Sequence, residues 1–493
     1  MDFLEEAQVI RCEFCGTSLL VAGRAGVLRY VVPPATEDPR EAQSQAVAYL
    51  SNQRQCSARP GETFLFYAPF WRLKGTAYRW VFGFKTLKAS PWDAPASRRN
   101  LHEEGEGSDF SSRQGGAPIK QREKVLLTRV LDHTLSASAA LDLGLPTLGI
   151  RVQTFRLVPF GREHVEQRHS FLPLEIPLEK VKDEADRVAN VFFEAGDVNP
   201  DVIFHQLVGK AFAVIYFPIW YVACHHARGA EVVLIDAVGK SVLKTLADGS
   251  AIPARLRSEE TRKPFEFSEI RFLPFRCPNC AWEFPFYPFS QLHFCSNCRR
   301  LWRERNGEWV ERSYLVVLPP GAQDRNELLW VPFFRCRASM EAETGTDMTM
   351  ADFYRFVPLL KVIDEKEEAR KPVYFYIPAL KFRNPVAPQK LASRLTFMQP
   401  AVLPGNFPDG AHPQPAGGGL PEADALELAS VILGGLVPAN FQRGLAVFKG
   451  SRIALKDPEI LYFPFTQDNF FWKEITTGLS FQQNACPEDM PNK

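Results

Sequence analysis

The chain has 493 residues, 45% of them hydrophobic and 23% charged, enough for two to four domains around a core that needs no covalent staples. Its 58 basic and 57 acidic residues nearly cancel, which excludes coating of nucleic acid or an anionic membrane by bulk electrostatics. The opening "MDFLEEAQVIRC" is acidic and lacks an apolar run, so no secretory leader is expected, and no stretch approaches the ~20 apolar residues of a membrane span.

The ten cysteines fall into a pattern. Cys12 and Cys15 form one Cys-x-x-Cys pair, Cys277 and Cys280 a second, and Cys295 and Cys298 a third, while Cys56, Cys224, Cys336 and Cys486 are scattered. Such clustering suggests metal ligation in a reducing compartment, so a cytoplasmic location is expected.

Taken in chain order, "VIRCEFCGTSLLV" comes first: Gly16 permits a turn after Cys15 and "SLLV" follows as a strand. The pair lacks a partner knuckle. Three explanations stay open: a start annotated too far downstream, completion between subunits or by a distant residue such as Cys56, or a metal-free remnant. A helix should follow from Pro39, with Asp38 as N-cap, Glu41 closing a capping box, and Ala42, Ala46, Tyr49 and Leu50 on one face.

An apolar, β-prone phrase with an aromatic residue before a proline then recurs, at Pro69, Pro218, Pro332, Pro378 and Pro464, with weaker versions at Pro159 and Pro274. These phrases read as strands. Proline has no amide donor, so the prolines are expected at strand starts, edges or bulges. A second helix opens at Pro177 with Leu178, Val181, Ala185, Val188, Ala189 and Phe192 as its stripe and Gly196 as its stop; a third opens at Pro421 and stops at Gly434 and Gly435. Helix-opening Pro39, Pro177 and Pro421 each precede a strand proline, which points to a helix-then-strand unit used at least three times. "DAVG" from Asp236 reads as a turn between strands. The runs from Lys88 and from Gln399 are rich in small, polar or proline residues and read as mobile loops or linkers.

"FRCPNCAWEFPFYPFSQLHFCSNCRRLW", residues 275–302, holds C-x2-C-x14-C-x2-C. Four soft thiolates suit one tetrahedral zinc ion, two from each tight turn. The stretch resembles a zinc ribbon over residues 272–312, and the N-terminal pair resembles the second knuckle of another. The resemblance gives Cys277, Cys280, Cys295 and Cys298 the role of ligands to a structural Zn(2+), with Cys12 and Cys15 as further candidates. Four thiolates leave no coordination position for water, so no catalytic role follows. After Cys298, Arg299, Arg300, Trp302, Arg303 and Arg305 interleave arginine with an aromatic, a pattern that suits phosphate contact and base stacking and equally a solvated strand paired with local acids.

Cys224-His225-His226 carries ligand-type residues, but neighbouring side chains of a strand face opposite ways. Phosphate-loop, dinucleotide, nucleophile-elbow and HExxH patterns are absent. The expected molecule is an α+β protein of repeated helix-plus-β-strand or hairpin units with an inserted zinc ribbon. The expected divisions are 1–34, 35–160 with a loop at 88–122, 161–265, 266–312, 313–398, a linker at 399–424, and 425–493. The expected role is a zinc-binding, non-enzymatic scaffold or adaptor for a protein partner; the alternative is nucleic-acid binding through the ribbon and its arginines.

Overall fold

A computed structural model describes residues 7–22, 27–55, 57–87, 119–138, 148, 152–166, 170–191, 193, 198–247, 252–256, 271–318, 328–340, 346–358, 364–402, 404–405, 407, 413 and 415–491. The expected loop at 88–122 lies outside them up to residue 118. Helix-stripe residue Phe192 and the stop Gly196 lie outside as well, as does Cys56. No helix among the described residues is long and apolar enough to cross a membrane. Helices and several sheets coexist, so the fold is mixed α+β.

The first half runs β1 (Val9–Arg11), β2 (Ser18–Ala22), β3 (Leu28–Val31), α1 (Pro39–Arg54), β4 (Ala58–Leu87), β5 (Ile119–Ser136), β6 (Val158–Pro159), α2 (Arg162–Glu166), β7 (Ser170–Phe171), α3 (Leu178–Val191), β8 (Asn199–His226), β9 (Gly229–Asp236), β10 (Val242–Ala247), α4 (Ile252–Leu256) and β11 (Arg271–Pro274). Asp38 caps α1 by accepting from the Arg40 amide. Glu41 does not close the expected box; its carboxylate meets Lys240 Nζ at 2.5 Å. The expected turn at Asp236 forms, its Oδ1 accepting from the amides of Val238 and Gly239.

The second half runs β12 (His293–Phe294), β13 (Leu301–Arg305), β14 (Glu308–Arg312), β15 (Tyr314–Val317), β16 (Leu329–Met340), α5 (Met350–Phe353), α6 (Glu365–Glu368), β17 (Tyr374–Pro378), α7 (Val386–Met398), β18 (Pro404–Gly405), α8 (Glu422–Leu426), α9 (Ala429–Leu436), α10 (Gln442–Gly450), β19 (Ile453–Asp468), β20 (Phe471–Glu474) and β21 (Ser480–Gln482). Two large sheets result. One is built on β4 and β8, the other on β16 and β19.

These two sheets share a pairing plan around their prolines. Pro69 lies opposite Tyr216, and Pro218 opposite Tyr67. In the second sheet Pro332 lies opposite Tyr462, and Pro464 opposite Trp330. All four prolines sit well inside strands, contrary to the expectation of edges and starts. The reason is a change of neighbour. Strand β3 runs beside β8 as far as Val31↔Tyr216, and β9 takes over from Asp236↔Ile219. Pro218 falls between them. Its carbonyl accepts from the Ala237 amide at 3.2 Å, so its donorless nitrogen faces the side where one neighbour has ended and the next has begun. Pro464 falls likewise between the end of β15 at Tyr462 and the start of β20 at Phe465, with its carbonyl taken by Ile475. Pro69 separates β7 from β5, and Pro332 separates the segment at Ala416 from β17.

Beyond the first sheet, β4, β5 and β8 continue together as a three-stranded arm, and strand alternation gives the arm two working faces. Leu73, Ala77, Leu131 and Leu207 pack on Ala185, Val188 and Ala189 of α3. Tyr78, Trp80, Phe82 and Val208 enter the core of the second half with Val431, Ile432 and Phe448. Trp80 Nε1 donates to the Val431 carbonyl at 2.9 Å. Lys124 on β5 donates to the carbonyls of Gly435 and Val437 at 2.6 and 2.9 Å, which caps the electronegative end of α9.

The third expected helix is broken into α8 and α9 at Glu427 and Leu428. Strand β8 reaches across at that point: Gln206 donates to the Glu427 carbonyl, and the Gly209 amide donates to its carboxylate. Gly434 does not end the helix. It lies within α9, where a Cβ would stand 2.5 Å from the Trp80 indole. The expected linker at 399–424 is in part core: Ala416 and Gly418 are buried, and the amides of Ala416 and Leu420 donate to Trp330 and Ala379.

Two substitutions to alanine should test these roles in urea unfolding. Gly434→Ala must displace Trp80 and should cost about 1–3 kcal/mol. Pro218→Ala breaks no hydrogen bond but puts a new amide donor into the buried gap between β3 and β9, and should cost about 1–3 kcal/mol from that unpaired donor together with the freer unfolded chain.

Candidate functional site

The four cysteines of residues 277–298 converge. Strand β11 leads into the first knuckle, whose flanks are bridged at Arg276↔Glu283. The second knuckle joins β12 to β13, which pair at Phe294↔Leu301. The sulfur atoms of Cys277, Cys280, Cys295 and Cys298 all lie within 4.8 Å of one another. Cys277 Sγ is 3.5 Å from Cys298 Sγ, and Cys280 Sγ is 3.5 Å from Cys295 Sγ. These spacings are too long for disulfides. A tetrahedral ion with ~2.3 Å metal–sulfur bonds needs sulfur atoms about 3.8 Å apart. The donor set and its spacing therefore fit one soft metal ion.

The surroundings keep the cluster in shape. Cys277 and Cys295 are buried, while Cys280 and Cys298 are partly open. Burial raises the Cys277 and Cys295 thiols, whereas a hydrogen bond from the Asn297 side chain brings Cys280 down to about 6. Phe275, Phe284 and Trp302 pack around the sulfurs together with Val9 and Leu20 from the N-terminal hairpin. His293 is enclosed by rings, 5.0 Å from Phe275 and 5.4 Å from Trp309, and burial lowers it to about 3. It is neutral at physiological pH and serves as an aromatic wall.

The other candidate residues lie elsewhere. Cys12 and Cys15 sit at the tip of the β1–β2 hairpin, apart from the four-sulfur cluster. Trp302 points inward, 8% exposed, so no base reaches its face. Arg300 pairs with Glu311 at 3.0 Å, and Arg303 and Arg312 both pair with Glu422 at 3.1 and 3.0 Å. Arg299 donates to the Phe407 carbonyl at 3.3 Å, and Arg305 is exposed. The arginines thus tie the knuckle region to local and distant acids. Cys224 is buried and His225 exposed on opposite faces of β8, as strand alternation requires.

A second feature was not visible in the sequence. A cleft of about 620 Å³ opens where the arm, the segment 380–383 and the start of α8 meet, lined in part by Lys74, Tyr78, Gly209, Lys381, Pro421 and Asp424. Gly209 has a φ of +68°, and a Cβ there would stand 2.8 Å from Asp424 Oδ2. Glycine at a bulge is a weak signal in a strand-like sequence, and these residues come from distant parts of the chain. Burial, with Glu427 adding repulsion, raises Asp424 from the ordinary 3.8 to about 6.

No protein-family model matches the chain, no curated protein matches it, and no solved structure matches its fold.

Asp424 gives a pH-dependent prediction. Between pH 3.8 and about 6 the folded chain keeps a proton that the unfolded chain releases, so stability falls as pH rises through that window. Asp424→Asn removes the cost. The variant should unfold at higher temperature than the native chain above pH 6, and the difference should vanish below pH 4, as followed by thermal melts across pH.

Proposed function

We propose that the chain is a zinc-dependent structural scaffold or adaptor that binds other proteins. The observation that carries this reading is the four-sulfur cluster of Cys277, Cys280, Cys295 and Cys298. Thiolate donors with the spacing of a tetrahedron favour zinc, and four of them fill its shell. The ion is then a clasp and offers substrate no coordination position. The two knuckles with β12, β13 and β14 make up the ribbon that the sequence resembles. A cytoplasmic location fits the nine described cysteines, all of which are free thiols.

The body is read as two copies of one unit, one spanning 7–247 and the other 271–491. The support is the matched register at Pro69, Pro218, Pro332 and Pro464. Each copy begins on a Cys-x-x-Cys hairpin and proceeds to a short strand parallel to its long central strand, β3 on β8 and β15 on β19. Large apolar side chains stand in solvent at two hairpin tips, Phe14 at 99% and Phe470 at 80% exposure, and they offer partner-binding anchors.

Elemental analysis should find zinc bound by the four-thiolate centre, about one ion per chain, and Cys295→Ser should lose that ion and lower the melting temperature. Protein purified without chelator that held no metal at this centre would overturn the zinc reading. Affinity capture from native cells should recover a partner in stoichiometric amount, with Phe14→Ser or Phe470→Ser weakening recovery while the melt is unchanged. Capture with no such partner would count against the adaptor role.

A further inference from the structure

Three loops of this chain share one backbone plan. In each, the amide of the first cysteine donates to the carbonyl five residues on: Cys12 to Thr17 at 2.9 Å, Cys277 to Trp282 at 2.8 Å, and Cys295 to Arg300 at 2.9 Å. In each, the carbonyl of that cysteine accepts from the residue four on, Gly16, Ala281 or Arg299, at 2.8 Å. That residue is left-handed in all three, with φ of 71°, 59° and 57°. Left-handed backbone is unfavourable for a non-glycine residue, so Ala281 and Arg299 hold it only because the loop requires it. The flanking residues pair in the same register: Arg11↔Ser18, Arg276↔Glu283 and Phe294↔Leu301.

The likeness extends past the loops. Strand β11 adds to β2 antiparallel as β14 adds to β13, which makes two three-stranded sheets of the same order. Two of the three loops point their sulfurs into the four-sulfur cluster. The third is folded the same way, with Cys12 partly exposed and Cys15 exposed. Among the described residues, only the 277–298 cluster gathers three or more metal donors.

We propose that Cys12 and Cys15 form a second site for a soft divalent cation, zinc or cadmium, as a two-thiolate half-site. Each thiol releases its proton to solvent as its sulfur bonds the ion, two protons per ion, with no change of oxidation state. The two remaining coordination positions take water or donors from outside this hairpin. The knuckle is already in the conformation that binding requires, so little ordering cost stands against the metal.

Cadmium titration of reduced, metal-free protein under anaerobic conditions tests the site, with thiolate-to-cadmium absorbance and proton release as readouts. The full chain should show a second, weaker step after the four-thiolate step, with two additional protons released and a final absorbance about 1.5-fold that of the first step, six thiolates against four. In Cys12→Ser/Cys15→Ser, and in Cys15→Ser alone, the second step should disappear while the first is unchanged. Native chain and variants with the same end point and the same proton count would overturn the proposal. The difference between them reports the hairpin alone, so this failure is distinct from failure of the four-thiolate centre.

Discussion

The antiparallel pairing of β4 with β8 is the constraint on which the remaining structure depends. It runs from Ala58↔His226 to Phe84↔Asn199, far longer than the five or six residues of an ordinary strand. One end of this ribbon is the spine of the first sheet and receives β3, β9 and β7. The other end leaves that sheet and becomes part of the second half's interior, with α3 on one face and α9 and α10 on the other. Tyr78, Trp80 and Phe82 therefore belong by sequence to the first half and by burial to the second. A large aromatic removed from such a core leaves a cavity that its neighbours fill poorly. The halves consequently share a core and are not independent bodies joined by a linker.

The four-cysteine cluster was legible because its signal is local. Spacing alone brings two thiolates to each knuckle, and four convergent sulfurs follow once the hairpins pack. The strands were legible from their aromatic and β-branched residues. The positions of their prolines were not. A sequence shows that Pro218 lacks a donor, but not that β3 ends and β9 begins beside it. The break between α8 and α9 depends on Gln206 and Gly209, more than two hundred residues earlier. The glycine-rich run at 416–420 looks like a linker because its hydrogen-bond partners Trp330, Asp489 and Ala379 lie elsewhere. The arginines after Cys298 read either as phosphate contacts or as a strand paired with local acids; Arg300 does meet the nearby Glu311, while Arg303 meets Glu422, which arrives from α8 and also takes Arg312. What could not be read has one physical origin, a partner supplied by a remote segment.

The Cys-x-x-Cys loops divide along the same line. At residues 277–298 both knuckles are present and four sulfurs converge, with Phe275, Phe284 and His293 packed beside them between β11 and β13. At residues 12–15 a single knuckle of the same shape stands at a hairpin tip. The two hairpins also touch: Val9 and Leu20 pack among the rings around the four cysteines, and β11 bridges them. Packing of the four-cysteine cluster thus supports the N-terminal hairpin, through apolar contacts and a shared strand.

The length of the central ribbon has a consequence for biosynthesis. Ala58 and its partner His226 are 168 residues apart. At ~5–20 residues per second a ribosome needs roughly 8–34 s to deliver the second after the first. Through that interval the edge of β4 that β8 will take, along Phe66, Phe70, Trp71, Trp80 and Phe82, stands unpaired. Such an edge is adhesive toward other nascent chains. The segment that follows β4 supplies β5, which pairs with it from Phe70↔Ser136 to Leu87↔Ile119 well before β8 appears. The β4–β5 hairpin thus closes one edge of the spine early and for good, while the opposite edge waits for β8.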